Sequence, residues 1–318
     1  MAGDTQRSPF DDFRDLAFAA EKAPAEVLDQ LAADLENRAI PESGTMGSLL
    51  MILGAWQKEH PVKVDEMHIC LFASSYAAAT PVDAMQAFVK TAKRGAAAVS
   101  ILAQDHGLGL RILDLAIDRP HEPFEWSEIQ SASTLAYGME AIAAGGDLLG
   151  LGCATFGHDA FAFALAAAAL RLTQDVSGLL DITTGPQHDQ MAALLAGVPD
   201  GADPLEAVQL LAGPDISAGL GALMAARAVG IPVLIESAGM LAACAVLKAL
   251  NPTGLDHVIL AATASPAERL LADMLGLSPV LGEDPGVGPG AAIAQAHRII
   301  RGACALQGLR PITPNQLA

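Results

Sequence analysis

The sequence predicts an α/β protein: a mostly parallel, doubly wound sheet with a small helical domain built from both chain ends. Three observations carry this expectation. Between residues 66 and 285, short apolar runs recur, and each ends in small or polar residues. Alanine-rich stretches with helical spacing separate those runs, and helical periodicity also fills both ends of the chain. Near-continuous apolar strands alternating with helices are the pattern of a parallel sheet covered on both faces. A sheet-bearing, Rossmann-like domain is therefore expected over 66–285. The smaller helical domain is expected over 1–65 together with 286–318.

Taken in order, Ser8-Pro9 and Pro24-Ala25-Glu26 have the form of helix starts, and Val27, Leu28, Leu31 and Leu35 recur at helical spacing. Pro41-Glu42-Ser43-Gly44 breaks that segment, and periodicity resumes over 46–56. Five strand-like runs follow. The first, 68–73, ends in Ser74-Ser75, and the second, 110–117, in Asp118. The third, 147–152, ends in Cys153, the fourth, 231–235, in Glu236-Ser237, and the fifth, 257–262, in Thr263. Helical patterns over 83–94, 160–172, 216–229 and 238–250 are the expected crossovers. Gly185-Pro186 and Asp200-Gly201 are turn signals, so 184–204 is expected to be a mobile excursion. The tail from 290 to 306 is helical, with Ile293, Ala296, His297, Ile300 and Cys304 on one face.

Composition narrows the function classes. A chain of 318 residues can bury one large core, or one core with a smaller appended domain. The hydrophobic share is 52%, much of it alanine. The longest apolar stretch, 230–247, carries Pro232 and Glu236, so no membrane span is expected. The polar opening Met1-Ala2-Gly3-Asp4 lacks the basic and apolar parts of a signal peptide, and a cytoplasmic location is expected. The net charge of −18 repels nucleic acid and anionic lipid. It leaves room for a small phosphorylated ligand, which backbone N–H groups at a helix start can hold locally. The four cysteines form no C-x-x-C pair, so neither a metal site nor a disulfide framework is expected. A 4% aromatic content argues against a base-stacking platform.

Ligands of open parallel sheets bind where strands end and helices begin, which makes the strand-end residues the candidates. The loop from Gly150 through Gly152, Cys153 and His158 to Asp159 is a candidate phosphate cradle, or equally a tight strand–helix junction. Asp159 opposes a phosphate there and reads more simply as a helix N-cap, as does Asp215 before the helical run at Ile216. Ser75 and Tyr76 follow the first strand, where Tyr76 can stack or hydrogen-bond. Glu236, Thr263 and Ser265 end the last two. A Cys153–His158 nucleophile pair has no spacing argument in its favour. Ser74, Ser75 and Ser265 lack a nucleophile-elbow setting, and Gly150-Leu151-Gly152 lacks the rest of a dinucleotide fingerprint, so no cofactor is expected.

The stretch Gly286-Val287-Gly288-Pro289-Gly290-Ala291-Ala292 resembles the Gly-Glu-Gly-x-Gly-Ala-Ala motif of the nicotinate-nucleotide–dimethylbenzimidazole phosphoribosyltransferases. That resemblance runs from about Leu35 to Leu306. Gly44-Thr45-Met46-Gly47 is similar to the family's Gly-Ser-Leu-Gly, and Arg94-Gly95 and Asp114 to Asp118 are kept. Asp215 is also kept in type, and Glu236 stands for an aspartate. Other cleft positions differ: Ser75 and Tyr76 replace Asp and His, Cys153 and His158 replace Glu and Asn, and Thr263 replaces His. Pro41-Glu42-Ser43 stands where a phosphate-binding lysine motif belongs.

The resemblance implies a phosphoribosyl transfer from nicotinate mononucleotide to a benzimidazole-like azole, for the lower ligand of cobamides, by a homodimer. A base must take the azole proton in that reaction. Val287 occupies the position of the family's general base and cannot accept a proton. The expectation is a divergent member with a slow or silent site, in which Glu283 or Asp284 substitutes only if the shortened turn re-aims it. The alternative is a non-catalytic ligand-binding paralogue or the partner of an active homologue.

Overall fold

The computed structural model describes residues 7–309 apart from 59 and 78. Residues 1–6 and 310–318, the outermost parts of the expected helical domain, lie outside the described residues. The chain opens with α1 (Asp11–Phe18), α2 (Ala25–Asn37) and α3 (Thr45–Gln57). It then runs β1 (Met67–Ala73), α4 (Val82–Lys93), α5 (Ala98–His106), β2 (Gly109–Asp114) and α6 (Glu128–Met139), followed by a 3-10 turn over Glu140–Ala144. Next come β3 (Leu148–Cys153), α7 (Asp159–Leu170), α8 (Ser177–Ile182), α9 (Gly185–Ala196), α10 (Pro204–Leu211) and α11 (Pro214–Val229). The chain closes with β4 (Val233–Glu236), α12 (Ala238–Leu250), β5 (Val258–Leu260), α13 (Pro266–Leu275) and α14 (Ala291–Leu306).

The five strands of the described residues are all parallel, in the order β2-β1-β3-β4-β5. Every strand-like run of the sequence lies in this sheet. The second run is the one that ends early: β2 stops at Asp114, whose Oδ1 accepts the Ile117 N–H at 3.1 Å, and Ala116 turns left-handed at φ 59°. Side chains alternate across the pleat. Cys70, Phe72, Leu149, Leu151 and Ile235 face one core, which α6, α7, α11 and α12 cover. Ile69, Leu71, Leu148, Leu234 and Ile259 face the other, which α2, α3 and α14 help to close. Both faces of β3, β4 and β5 are buried, which is why those runs read as continuously apolar.

Helices from the two chain ends meet: α14 packs on α3 and α5, and α2 on α3. The first helix, α1, lies on the other face against α11 and α12. The segment 184–204 is not the excursion that its turn signals suggest. It holds α9, with Pro186 in the first turn and Met191 and Leu194 buried. A proline that marks a turn also suits the first helical position, where its missing N–H costs nothing. No helix of the described residues is long and apolar enough to cross a membrane.

The alanine and glycine content lets helices approach at backbone distance. A Cβ on Gly221 of α11 would lie 1.9 Å from the Leu135 carbonyl oxygen of α6. Reciprocally, a Cβ on Gly138 of α6 would lie 1.9 Å from the Ala218 carbonyl oxygen of α11. Neither neighbour is a flexible side chain, so the helices must separate to admit a methyl group. Gly221→Ala is expected to lower unfolding stability by about 1–3 kcal/mol, the usual cost of overpacking, despite alanine's better helix propensity. Urea unfolding with an unchanged or raised midpoint would contradict the close crossing.

Candidate functional site

The candidate site lies over the carboxyl ends of β3, β4 and β5. After β3, the chain passes through Ala154 to His158 and enters α7, whose cap residue is His158. Asp159 is the first residue of the helix rather than its cap. Its charge lies in the first turn, where the helix dipole favours an acid. After β4, Ser237 holds φ 86°, and its Oγ accepts the Cys153 N–H at 3.2 Å and the Met240 N–H at 3.4 Å. After β5, Thr263 and the chain over 279–284 pair as an added edge: the Asp284 N–H reaches the Thr263 carbonyl at 3.0 Å. Ser265 Oγ then caps α13 by accepting the Glu268 N–H at 3.1 Å, and Glu268 Oε2 accepts the Ala264 N–H.

These turns enclose two adjoining cavities. The inner one, about 320 Å³, is lined by Cys153, His158, Asp159, Glu236, Glu268, Asp284, Gly288 and Pro289 among others. The outer one, about 440 Å³, is lined by Thr263, Ser265, Arg269, Glu283 and Asp284 with Ala264 and Pro266. Ala264 and Asp284 belong to both. A larger cavity of about 600 Å³ flanks β5 between the start of α3 and 275–280, and none of the strand-end carboxylates line it. Chemistry therefore favours the smaller pair.

Glu236 is the anchor of the inner cavity. Its Oε1 accepts the Gly290 N–H and its Oε2 the Ile293 N–H at 3.1 Å, so the carboxylate holds the start of α14. Burial pushes its pKa up to about 7 against the pull of those amides. Gly290 sits at φ 83°, and a Cβ there would lie 2.5 Å from Val99 Cγ2, so only glycine passes. From this fixed end the loop swings outward, and Val287 is 55% exposed and lines neither cavity. Gly286, at φ 70°, donates its N–H to Asp284 Oδ1 at 2.6 Å.

Apart from Gly286 and Val287 on the outer loop, the candidates divide into three groups. Cys153, His158, Glu236 and Gly288 meet in the inner cavity, and Thr263, Ser265 and Glu283 meet in the outer one. Ser75, Tyr76, Gly152 and Asp215 lie beneath, outside both linings. Ser75 Oγ donates to the Ile117 carbonyl at 2.8 Å. Tyr76, fully buried, donates its OH to Asp215 Oδ1 at 3.0 Å and accepts the Gly213 N–H at 2.9 Å. Asp215 is not the cap of α11, which is Gly213; it is a buried partner of Tyr76. Gly152 gives room to Leu71 and Glu236.

Under the cavity floor, His158 Nδ1 bonds the Thr155 carbonyl, which leaves Nε2 4.0 Å from Asp215 Oδ2. Both facing atoms lack a hydrogen-bond partner among the described residues. The ring stacks on Tyr76, with centroids 5.9 Å apart, and His121 meets Tyr76 edge-on. Burial lowers the His121 pKa to about 4. Burial, then Asp215, raises the Cys153 thiol well above the ordinary thiol range, so the pair with His158 lacks a thiolate nucleophile.

Two further positions shape the cavity. Glu268 is buried in the inner cavity wall, and burial followed by Asp159 and Asp284 raises its pKa to about 7. Its signal was present: Ser265-Pro266-Ala267-Glu268 is a Ser-x-x-Glu helix start with proline at the first position. The left-handed Ser237 carries no such signal. Among the described residues, no lysine or arginine lines the inner cavity. Also among them, no group of three or more His, Cys, Asp or Glu side chains could hold a metal ion.

Comparison with known proteins places this geometry. A family model described as phosphoribosyltransferase matches residues 20–308. The nicotinate-nucleotide–dimethylbenzimidazole phosphoribosyltransferase of Allorhizobium ampelinum is 34% identical over 323 residues, covering 93% of each chain. The protein of the same name from Rhizobium etli is also 34% identical, over 321 residues and 93% of each chain. The crystal structure of the Thermus thermophilus protein of that name superposes with a TM-score of 0.81 at 20% identity, covering 93% of this chain and 99% of that one. The chain belongs to the nicotinate-nucleotide–dimethylbenzimidazole phosphoribosyltransferase family.

Proposed function

We propose that this protein is a divergent phosphoribosyltransferase of cobamide lower-ligand synthesis, acting on nicotinate mononucleotide and a benzimidazole-like azole, and slow because its base position holds Val287. The observation that carries this reading is the glycine-rich loop, anchored by Glu236 at the mouth of a strand-end cavity of about 320 Å³. An apolar bicyclic azole suits a pocket of that size, with carboxyl groups at hand for its N–H. In the transfer, the azole's bare nitrogen attacks ribose C1 as the bond from C1 to the nicotinate nitrogen breaks. The nicotinate leaves with the electron pair, and the azole's other nitrogen gives up its proton.

Family membership also supports a homodimer in the cytoplasm, without nucleic-acid or membrane partners. Glu283 lines the outer cavity and Asp284 lines both, so either can approach a ligand that spans the two. A second reading, a ligand-binding paralogue that partners an active homologue, is favoured by the inner cavity's acidic lining. Carboxylates with no lysine or arginine in the same lining repel the phosphate of a nucleotide.

Two measurements separate these readings. Turnover of nicotinate mononucleotide with a panel of benzimidazoles, run beside the Allorhizobium ampelinum relative, should be detectable but at least about 100-fold slower, the usual worth of a general base. Calorimetric binding of benzimidazole with no turnover at all would favour the paralogue. Val287→Glu should raise kcat, but by less than about 100-fold, because the phosphate-binding lysine motif and other cleft groups have also changed. An unchanged or lower rate in a folded Val287→Glu protein would contradict the assignment of position 287.

A further inference from the structure

Among the described residues, four carboxylates line the inner cavity, and their surroundings differ. Both oxygens of Glu236 are occupied by the amides at the start of α14. Asp284 Oδ1 takes the Gly286 N–H, which ties it to the loop. Asp159 is exposed at the start of α7. Glu268 is only 6% exposed yet forms part of the wall of the cavity that Gly288 and Pro289 also line. Its backbone is pinned by the Ser265 cap, and its carboxylate is steadied by the Ala264 N–H and the Ala238 backbone amide. A general base needs this combination of a fixed carboxylate, a dry wall and an open approach.

On this geometry, and resting on the transferase reading, we infer that Glu268 accepts the azole proton in this chain, as a less effective substitute for the carboxylate that position 287 lacks. The step balances. Glu268 carboxylate receives the proton from the azole N–H as the opposite ring nitrogen bonds to ribose C1 and nicotinate departs with the electron pair of the broken C–N bond. The titratable and charged groups that line the two cavities with Glu268 are Cys153 at the end of β3, His158 and Asp159 at the start of α7, Glu236 at the end of β4, and Glu283 and Asp284 in the loop, with Arg269 on its own helix. Burial and the neighbouring acids hold its pKa near 7, where a base is substantially ionised at neutral pH and still takes a proton readily. The rate should therefore rise with pH through about 7 as Glu268 ionises.

The test uses the full chain, nicotinate mononucleotide, and two acceptors: benzimidazole, which must lose an N–H proton, and 1-methylbenzimidazole, which has none to lose. Glu268→Gln keeps an oxygen for the Ala264 N–H and is expected to lower kcat with benzimidazole by about 100-fold or more. The loss with 1-methylbenzimidazole should be at least tenfold smaller, and the rise in rate near pH 7 should disappear. A purely structural role would slow both acceptors alike, and that result overturns the assignment. If that variant does not fold, Glu268→Asp is compared with both acceptors: a loss confined to benzimidazole supports Glu268, and an equal loss with both overturns it. Turnover that is unaffected by Glu268→Gln overturns this inference alone. Absence of any turnover by the unsubstituted chain overturns the transferase reading together with it.

Discussion

The structure around the site depends on one buried interaction, the Glu236 carboxylate gripping the amides at the start of α14. A carboxylate at a helix N-terminus receives charge-assisted hydrogen bonds and a favourable dipole, each bond contributing about 1.5–3 kcal/mol. Burial opposes this, as the raised pKa of about 7 records. The balance joins the end of the fourth strand to the last helix, 54 residues further along the chain. That link fixes where the glycine-rich loop ends, next to Gly288 and Pro289 in the cavity lining. It further draws helices from both ends of the chain onto one face of the sheet, since α14 packs on α3 and α5.

The same anchor fixes how position 287 sits relative to the cavity. With Gly290 held, the loop can only swing outward, and Val287 sits at its exposed crest. The cavity below keeps its own carboxyls, two of which have pKa values raised by burial first and by neighbouring acids second. Beneath these, Tyr76, Asp215 and His158 replace what would be open cleft with a stacked, hydrogen-bonded floor. The scaffold is that of the family, and no lysine or arginine of the described residues lines the inner cavity.

Much of the fold was legible because it rests on local patterns. Strands buried on both faces announce themselves as unbroken apolar runs, and 238–250 is a helix over the span its spacing suggests. Residues 184–204 misled because Gly185-Pro186 signals a turn and a helix start alike, and only the burial of Met191 decides between them. The site was legible in part. Cys153, His158 and Glu236 end adjacent strands or open the helices after them, so topology alone brings them together. Glu268 was not singled out, because a Ser-x-x-Glu signature looks the same whether its glutamate faces solvent or a cavity. Tyr76 and Asp215 lie 139 residues apart, and nothing local in either segment foretells their bond.

The most direct test of this account is amide hydrogen exchange across 286–296 in the intact protein and in Glu236→Ala. If Glu236 is the anchor, Gly290 and Ile293 are strongly protected in the intact protein. In the variant, their protection falls together with that of the neighbouring loop, while β1 and β3 keep theirs. Unchanged protection at Gly290 and Ile293 in the variant would contradict the account.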